Sequence, residues 1–471
     1  MSIERIGRQN PWWGDIETIK NDPHIIAFNA SPLKWYPNFL SRIRLKQDLI
    51  YALRGPRQVG KTTLIKNLIQ RLLQEEKVNP RRVVYLDCER LGAKNHQELT
   101  QVIEDYINWV KLSEKGRIYL FIDEVTFIRN WEIGIKVLAD AGLLKDVFVM
   151  VTGSHSIDIK RGTERLPGRR GRLGGLDLLL LPMTFREYLF TTFPDMKRKI
   201  PKIRGFTPKE LIPAVQEASI FSDKVFSLFE NYLRTGGFPI SAVEGYKTGV
   251  IPIYVFDIYK DAIVGDLQRM GRKESLFKDL LIWLFNRREN PFDWSIAARE
   301  AGIGKHDTVR EYIEDAECAF VWSLFYKAKS LGESVRALRS PKRLYFNDPF
   351  IFHSLRAWSL GYTNPWAATT QFLQDPYNLG FLTENIVGAH LRRFFLETFY
   401  WRNGGEIDFL IFKQGRRVAS IEVKYQTRVS AENEKALSSA GGGIILTKDA
   451  INLKSKDILQ IPVALFLSLL E

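Results

Sequence analysis

The chain has 471 residues, 45% of them hydrophobic, and its 68 Lys and Arg residues against 54 Asp and Glu residues give a formal net charge of +14. This length predicts two to four domains, and this composition excludes a largely disordered chain. The longest apolar runs, such as 178–181 and 463–467, are far shorter than the ~20 residues that span a bilayer. Because the chain has two cysteines and no apolar leader segment, we expect a cytoplasmic protein. Its positive charge favours nucleic acid over a membrane as partner.

Residues 1–45 are rich in aromatic residues and contain prolines, which predicts an ordered arm that packs on the following segment. From about residue 46 onwards, apolar β-rich runs alternate with helical patterns, and the runs lie at 49–53, 83–86, 118–122 and 147–151. Continuous apolar strands that are separated by helices indicate a parallel sheet covered on both faces. The fold class expected here is therefore α/β.

A glycine-rich loop follows the first of these strands and opens a helix. Its sequence fits G-x-x-x-x-G-K-[ST] in every fixed position, in the strand–loop–helix context that phosphate binding requires. Lys61 is expected to reach the β- and γ-phosphates, and the Thr62 hydroxyl to ligate Mg²⁺. The alternative is a glycine-rich turn without a ligand. We expect ATP and Mg²⁺ as cofactors, with the nucleotide bound by Gly55, Pro56, Arg57, Gln58, Val59, Gly60, Lys61, Thr62 and Thr63.

An acidic pair, Asp123 and Glu124, directly follows the third apolar strand. Carboxylates at the carboxyl end of a buried parallel strand are placed to act on the metal of a bound nucleotide. Asp123 is expected to hold Mg²⁺, directly or through water, and Glu124 is expected to orient and polarise the attacking water. The alternative interpretation is an acidic N-cap for the next helix.

The fourth strand is followed by Ser154 and then by a basic segment. Ser154 is a candidate sensor of the γ-phosphate, or else a member of an ordinary turn. Residues 160–172 contain six basic residues and one acidic residue. An arginine from this segment could stabilise transition-state charge on a neighbouring subunit's nucleotide, could contact DNA phosphates, or could lie in a solvated loop. The candidates are Arg169, Arg170 and Arg172.

These sequence strings resemble the AAA+ ATPases, and among them a prokaryotic group that is prominent in archaea. The resemblance extends to 181–188 and to 232–239, which matches a lid motif, and it covers nearly the whole chain. It implies a P-loop NTPase core of the AAA+ type with a parallel sheet and a helical lid, then a winged helix, then an α/β nuclease-like domain. The expected segments are an arm at 1–45, the core at 46–190, the lid at 191–270, the winged helix at 271–345 and the nuclease-like domain at 346–471.

A helix-turn-helix pattern lies in the middle of the chain. Residues 191–205 are basic and bounded by prolines, which predicts a linker or exposed loop, and helical patterns then continue to about residue 340. Residues 293–303 predict one helix with its turn, and a second helix, capped by Asp307 or Thr308, extends through Ala316. The apolar residues of the second helix share one face. The pattern is suited to DNA contact, or to packing inside an assembly.

The last third of the chain predicts short strands, with a hairpin around 413–415. On two adjacent strands, Asp408, Glu422 and Lys424 fit the pattern D-x13-E-x-K, and their side chains can lie on one side. They match the PD-(D/E)xK nuclease superfamily, and Glu384 matches the acidic residue of its first helix. Asp408 and Glu422 are expected to bind a second Mg²⁺, with Lys424 positioning a hydroxide. The alternative is a nuclease fold that no longer cleaves but grips DNA.

The function expected from these features is an oligomeric AAA+ ATPase that couples ATP hydrolysis to binding and remodelling or translocation of DNA, branched or junction DNA included. A homo-oligomeric ring is expected, with a hexamer favoured, and no membrane partner. Two alternatives stay open. One is an ATP-gated, metal-dependent DNA nuclease, and the other is a regulatory switch ATPase whose winged helix binds a protein or a promoter.

Overall fold

The computed structural model describes residues 3–153, 159, 162–166, 168–171, 174–287, 291–403, 405–455 and 457–470. The chain divides into two compact units, Met1–Leu181 and Pro182–Glu471. Within the described ranges, no helix combines the length and the apolar character that crossing a membrane would require. The finer division into an arm, core, lid, winged helix and nuclease-like domain stays a prediction.

The first unit is built on a five-stranded parallel sheet with the strand order β2-β3-β4-β1-β5. The four apolar runs expected to be strands are confirmed, and a short fifth strand lies beside β1. The strands are β1 Ile50–Arg54, β2 Val83–Asp87, β3 Ile118–Asp123, β4 Val147–Thr152 and β5 Asp177–Leu179. The helices are α1 Ile3–Gln9, α2 Pro23–Ala30, α3 Lys61–Gln74, α4 Cys88–Leu91, α5 His96–Ser113 and α6 Trp131–Asp140. Short 3-10 turns lie at Pro11–Trp13, Ile16–Asn21, Asn38–Arg42, Pro80–Arg82 and Val125–Phe127.

The central strands of this sheet are buried from end to end. Every residue of β3 and of β4 is buried, which explains why their sequences are continuously apolar instead of alternating. Helices α5 and α6 contribute Leu99, Ile103 and Leu138 to the same core as Leu120 and Val149 of the sheet. Because parallel strands end on the same side of a sheet, the carboxyl ends of β1, β3 and β4 lie close together.

The N-terminal arm, defined here as residues 3–42, covers the exposed edge of β2. Its side chains bind alternate residues of that strand, Gln9 at Asp87, Asn10 at Tyr85, and Trp12 and Trp13 at Val83. Asn10 replaces a neighbouring strand most closely, since its Nδ2 donates to the carbonyl of Tyr85 at 2.9 Å and its Oδ1 accepts from the amide of Tyr85 at 2.6 Å. The arm thus satisfies backbone groups that an edge strand would otherwise leave unpaired.

The second unit begins with helices and ends with a mixed sheet. Its helices are α7 Phe185–Thr192, α8 Pro208–Ser219, α9 Ser222–Thr235, α10 Pro239–Thr248, α11 Ile253–Arg269, α12 Glu274–Asn286, α13 Trp294–Glu300, α14 His306–Cys318, α15 Pro349–Leu360, α16 Pro365–Gln374, α17 Pro376–Phe394, α18 Ala431–Ser439 and α19 Val463–Leu469. Its strands are β6 Trp322–Tyr326, β7 Lys342–Phe346, β8 Glu397–Arg402, β9 Glu406–Lys413, β10 Arg416–Lys424, β11 Gly443–Thr447 and β12 Ile458–Pro462. A 3-10 turn lies at Pro194–Arg198.

Strands β6 and β7 form an antiparallel pair, and the other five form a sheet in the order β12-β11-β10-β9-β8. Within this sheet β8, β9 and β10 are antiparallel neighbours, whereas β10, β11 and β12 run parallel. The predicted hairpin around 413–415 is confirmed as the β9–β10 turn. Gln414 and Gly415 both have positive φ there, of 53° and 75°, as a tight hairpin turn requires.

Three expectations for this unit are corrected by the structure. Residues 191–205 are not an exposed linker throughout, since Met196, Ile200 and Ile203 are buried and the amide of Ile203 donates to the carbonyl of Leu469. The stretch expected to be helical to about residue 340 contains β6, whose aromatic side chains pack internally. Helix α14 begins at His306, before the expected caps, and has no side-chain cap.

Replacing Asn10 with Ala is expected to lower the free energy of unfolding of the first unit by about 2–4 kcal/mol, because it leaves the buried N–H and C=O groups of Tyr85 without partners. Urea denaturation followed by tryptophan fluorescence measures this loss. Asn21→Ala, at an exposed position of the same arm, is the control and should leave the midpoint unchanged. Equal midpoints for the two variants would contradict the edge-covering role of Asn10.

Candidate nucleotide-binding site

The loop between β1 and α3 has the backbone that a phosphate-binding loop needs. A Cβ atom at Gly55 would lie 2.0 Å from the carbonyl oxygen of Leu180, so only glycine fits there. Gln58 and Gly60 have φ angles of 61° and 99°, which turn the chain sharply into the first turn of α3. The loop therefore places backbone N–H groups and a helix N-terminus around one small concavity, which is the geometry that binds phosphates.

Lys61 is buried at the start of α3 and points back into this loop. Its Nζ donates to the carbonyl oxygens of Gly55 at 3.0 Å and Pro56 at 2.9 Å. The side chain is 7% exposed, so these carbonyl oxygens take the place of water around the ammonium group. A phosphate entering the loop would meet a cation already held at its base.

Asp123 and Thr62 are joined across the site. The Thr62 hydroxyl donates to Oδ2 of Asp123 at 2.8 Å, so the two predicted Mg²⁺ ligands lie together. Burial raises the pKa of the Asp123 carboxyl, and the hydrogen bonds from Thr62 and Tyr85 oppose that rise. A hydroxyl and a carboxylate oxygen are the hard donors that Mg²⁺ prefers, so these residues fit that cation.

Glu124 follows Asp123 in a left-handed backbone conformation, with φ of 51° and ψ of 39°. Its side chain does not cap the 3-10 turn that follows, and α6 begins only after Asn130. The alternative interpretation of an acidic N-cap therefore loses its support. A non-glycine residue held at positive φ beside a buried carboxylate is typical of a functional position.

Strand β4 lies between β1 and β3, so its carboxyl end falls between the phosphate loop and Asp123. Ser154, the predicted γ-phosphate sensor, lies outside the described residues, as does Arg172. Within the described ranges, the hydroxyl of Thr152 at the end of β4 is buried without a hydrogen-bond partner. A buried hydroxyl left unpaired at this edge is free to serve a bound ligand.

Arg169 and Arg170, the two candidate arginines that lie within the described residues, form ion pairs inside the chain. Arg169 pairs with Asp140 through Nε and Oδ1 at 2.5 Å. Arg170 pairs with Asp177 at 3.0 Å and also donates from Nε to the carbonyl of Ile50 at 3.1 Å. An arginine acting on a neighbouring subunit would first have to leave these partners.

Sequence reasoning missed Tyr85, Lys66 and Asp22. The Tyr85 hydroxyl donates to Oδ2 of Asp123 at 2.8 Å, the same oxygen that Thr62 contacts. Lys66 lies with Nζ 3.6 Å from the Tyr85 ring centroid and 3.1 Å from Oδ2 of Asp22 in the arm. Sequence signals for them were weak, because Tyr85 reads as an ordinary strand residue and Lys66 as a helix surface residue.

The predicted nuclease-like residues also converge, in the second unit. Asp408 Oδ2 accepts from the amide of Val423 at 2.9 Å, and the amide of Asp408 donates to Oε2 of Glu422 at 3.1 Å. Lys424 pairs with Oε1 of Glu422 at 2.7 Å. Burial, aided by the nearby charge of Asp408, raises the pKa values of Glu384 and Glu422. Sequence reasoning missed the buried Arg343, which pairs with Asp408 at 2.9 Å.

Two family models match separate parts of the chain. Residues 47–189 match the family model described as an AAA domain, and residues 379–466 match a domain of unknown function, DUF4143. The strand order, the phosphate loop and the acidic pair agree with the first match. Residues 47–189 are therefore similar to P-loop ATPase domains of the AAA type.

Two curated relatives come from Methanocaldococcus jannaschii. The uncharacterized protein MJ1637 is 26% identical over 311 residues, which are 63% of this chain and 60% of that protein. The uncharacterized protein MJ1544 is 24% identical over 426 residues, which are 88% of this chain and 82% of that protein. The match thus spans less than two thirds of the length of MJ1637 and more than two thirds of the length of MJ1544.

Solved structures give weaker likenesses. The Walker-type ATPase PABY2304 of Pyrococcus abyssi covers 65% of this chain and 91% of its own, at 15% identity and a TM-score of 0.40. The ORC1 protein of Aeropyrum pernix, solved in complex with DNA, covers 77% and 98%, at 10% identity and a TM-score of 0.31. Scores of this size do not establish a shared arrangement over the whole chain.

Lys61→Ala should abolish ATP binding, because it removes the cation at the base of the phosphate loop, and titration with a fluorescent ATP analogue measures the loss.

Glu124→Gln should bind ATP with unchanged affinity but hydrolyse it about a hundredfold more slowly, the usual cost of removing a general base. Lys145→Ala, at an exposed position of the same unit, is the control. Normal ATP binding by Lys61→Ala would contradict the placement of the site.

Proposed function

We propose that this protein hydrolyses ATP with Mg²⁺ at the loop of residues 55–62, and that it couples hydrolysis to binding and remodelling or translocation of DNA. The observation that carries the first part is the convergence of Lys61, Thr62 and Asp123 at one edge of the parallel sheet. The match of residues 47–189 to the AAA domain supports it independently.

Each residue has a defined task in this reaction. The loop amides and Lys61 bind the phosphates. They also neutralise the negative charge that develops on the phosphate oxygens of ADP as it leaves. Thr62 and Asp123 would hold Mg²⁺, which when bound polarises the phosphoryl oxygens. Glu124 orients a water for attack on the γ-phosphate and accepts its proton.

The DNA part of the proposal is supported by the region from α13 to β7. Two helices joined by a short turn, followed by an antiparallel strand pair, are the order of elements in a winged helix. The buried face expected on α14 is present, since Val309, Tyr312, Ile313 and Ala316 are buried. On its other side, Glu311 and Asp315 pair with Arg272, whereas Lys305, His306 and Arg310 near the start of the helix are exposed.

The loop between β6 and β7 strengthens the DNA proposal. Residues 327–341 contain four basic residues and one acidic residue, and Lys329, Arg336 and Arg339 are exposed. At the start of α14, Lys305 is exposed as well. Exposed cations on a loop and a neighbouring helix start are suited to phosphate contacts along a duplex, which give affinity without sequence readout.

A second candidate function is a switch ATPase that works without a ring. The observation that favours it is that Arg169 and Arg170 are both paired within the chain. Native mass spectrometry with and without ATP separates the two candidates, because a ring motor assembles into one closed oligomer and a switch stays monomeric or pairs only when nucleotide is bound.

ATP hydrolysis is expected to be stimulated by DNA, and measuring it with duplex, forked and four-way DNA tests the proposal.

The double variant Lys329→Glu/Arg339→Glu should bind DNA about tenfold more weakly and with a shallower salt dependence, because two phosphate contacts become repulsive. Lys136→Glu/Lys145→Glu carries the same charge change at exposed positions of the first unit and is the control.

Two results would overturn the DNA part of this proposal. The first is that the protein binds none of the three DNA structures at moderate salt. The second is that both double variants lose DNA affinity equally, since net charge and not the β6–β7 loop would then account for binding. ATP hydrolysis that is slow and insensitive to all three DNA structures would favour the switch ATPase.

A further inference from the structure

We propose that the N-terminal arm positions the Asp123 carboxylate for Mg²⁺ through a buried chain of contacts, from Asp22 to Lys66 to Tyr85. This inference deepens the proposed ATPase function and rests on it. Asp22 and Tyr85 lie in different elements, 63 positions apart by their residue numbers, and Lys66 bridges them. In this chain, Tyr85 is a positioning residue and Asp22 acts on it through Lys66.

The first contact is an ion pair withdrawn from water. Nζ of Lys66 lies 3.1 Å from Oδ2 of Asp22, and the two side chains are 7% and 15% exposed. Burial lowers the pKa of Lys66, and Asp22 opposes that shift. A buried ammonium needs such a partner, because an uncompensated charge in this position would be costly. Asp22 thereby keeps Lys66 charged and in place.

The second contact runs through the face of an aromatic ring. Nζ of Lys66 lies 3.6 Å from the Tyr85 ring centroid and 5.2 Å from the ring centroid of Trp12, which belongs to the arm. A cation over the face of a phenol draws electron density from it and so makes its hydroxyl a stronger donor. That hydroxyl donates to Asp123 at 2.8 Å.

The third contact fixes the carboxylate itself. Oδ2 of Asp123 accepts from both Tyr85 and Thr62, and Oδ1 accepts from the amide of Glu124 at 3.0 Å. Lys66 lies one helical turn after Thr62 on α3, so the same helix carries the phosphate loop and the bridge to the arm. Thr62 and Asp123 would together hold Mg²⁺, and Tyr85 would then be the side chain that orients Asp123.

Tyr85→Phe is the most selective test, since it keeps the ring under Lys66 and removes only the donor. We expect kcat for ATP to fall about tenfold and the Mg²⁺ concentration for half-maximal rate to rise in the folded protein, with KM for ATP nearly unchanged. The thermal midpoint should fall modestly, because the buried carboxylate loses one of its donors. Asp22→Asn should move the same quantities in the same direction, and Asp22→Glu should restore them in part. Glu17→Gln, which removes an exposed charge from the same arm, is the control.

A purely structural arm would lower the thermal midpoints of these variants but leave kcat and the Mg²⁺ requirement of the folded fraction unchanged. Wild-type kcat and Mg²⁺ requirement in both Tyr85→Phe and Asp22→Asn would overturn the proposal. If the unaltered protein hydrolyses no ATP, the proposed function fails by itself. The Mg²⁺ dependence of binding of a fluorescent ATP analogue then still tests the positioning role of Tyr85.

A second, independent inference concerns the carboxylates of the second unit. We infer that the guanidinium of Arg343 already compensates the carboxylates of Glu384 and Asp408, the second of which the sequence predicts to be a ligand of a second Mg²⁺. Nη1 of Arg343 lies 3.3 Å from Glu384 and 2.9 Å from Asp408, and Nη2 contacts Glu406. The cluster therefore already holds a cation of its own.

The surroundings of Arg343 are built for a permanent guanidinium. Its side chain is 2% exposed, and its Cζ lies 4.8 Å from the ring centroid of Tyr400. The Tyr345 hydroxyl accepts from Arg343 at 3.1 Å and donates to Glu384 at 2.5 Å. These residues do not fit the second Mg²⁺ that the sequence predicts.

The consequence is a structural role for the cluster. Arg343 lies on β7, Glu384 on α17 and Asp408 on β9, so the ion pairs join the β6–β7 strand pair to the C-terminal sheet. Lys424 forms an ion pair with the remaining carboxylate, that of Glu422. Removing one partner from such a buried network leaves charges uncompensated, which makes the network a strong constraint on relative placement.

Titration of the full chain with Mn²⁺, read by electron paramagnetic resonance in the absence of nucleotide, tests this inference. We expect the unaltered protein and Asp408→Asn to give the same Mn²⁺ titration. We also expect DNA incubated with Mn²⁺ and either the unaltered protein or Glu422→Ala to stay intact. Saturable Mn²⁺ binding that Asp408→Asn abolishes, or DNA cleavage that Glu422→Ala abolishes, would overturn it.

Discussion

The Asp123 carboxylate, 2% exposed, accepts hydrogen bonds from the phosphate-loop helix through Thr62 and from the edge strand through Tyr85. A buried carboxylate is tolerated only where donors compensate its lost hydration, so the surrounding elements must hold their places. The parallel sheet supplies that order, because β1, β3 and β4 end at the same edge. The arm adds a further layer by covering β2, and in doing so it brings Asp22 to Lys66.

The groups that compensate the buried carboxylates differ between the two units. At Asp123, the donors are neutral hydroxyls that a metal ion can displace or join. At Asp408, a guanidinium and an ammonium from the chain itself already balance the carboxylates. The first arrangement is suited to a cation that arrives with a nucleotide, whereas the second is suited to holding strands and a helix together. We therefore propose that similar residue types serve cation binding in one unit and structure in the other.

The sequence allowed the local features to be predicted and left the long-range ones hidden. The phosphate loop, the acidic pair and the four central strands follow from contiguous motifs and from apolar runs. The partners of the key carboxylates do not, since Tyr85 is 38 positions from Asp123 and Arg343 is 65 positions from Asp408. The strand β6 was also missed, because its aromatic residues fit a buried helix as well as a strand.

A crystal structure of the protein with Mg²⁺ and a non-hydrolysable ATP analogue tests the central claim most directly. We expect Lys61 to leave the carbonyls of Gly55 and Pro56 for the phosphates. We also expect Mg²⁺ between Thr62 and Asp123, with the Tyr85 hydroxyl still bonded to Asp123. A nucleotide bound elsewhere, or a metal ion bound without Thr62 and Asp123, would contradict it.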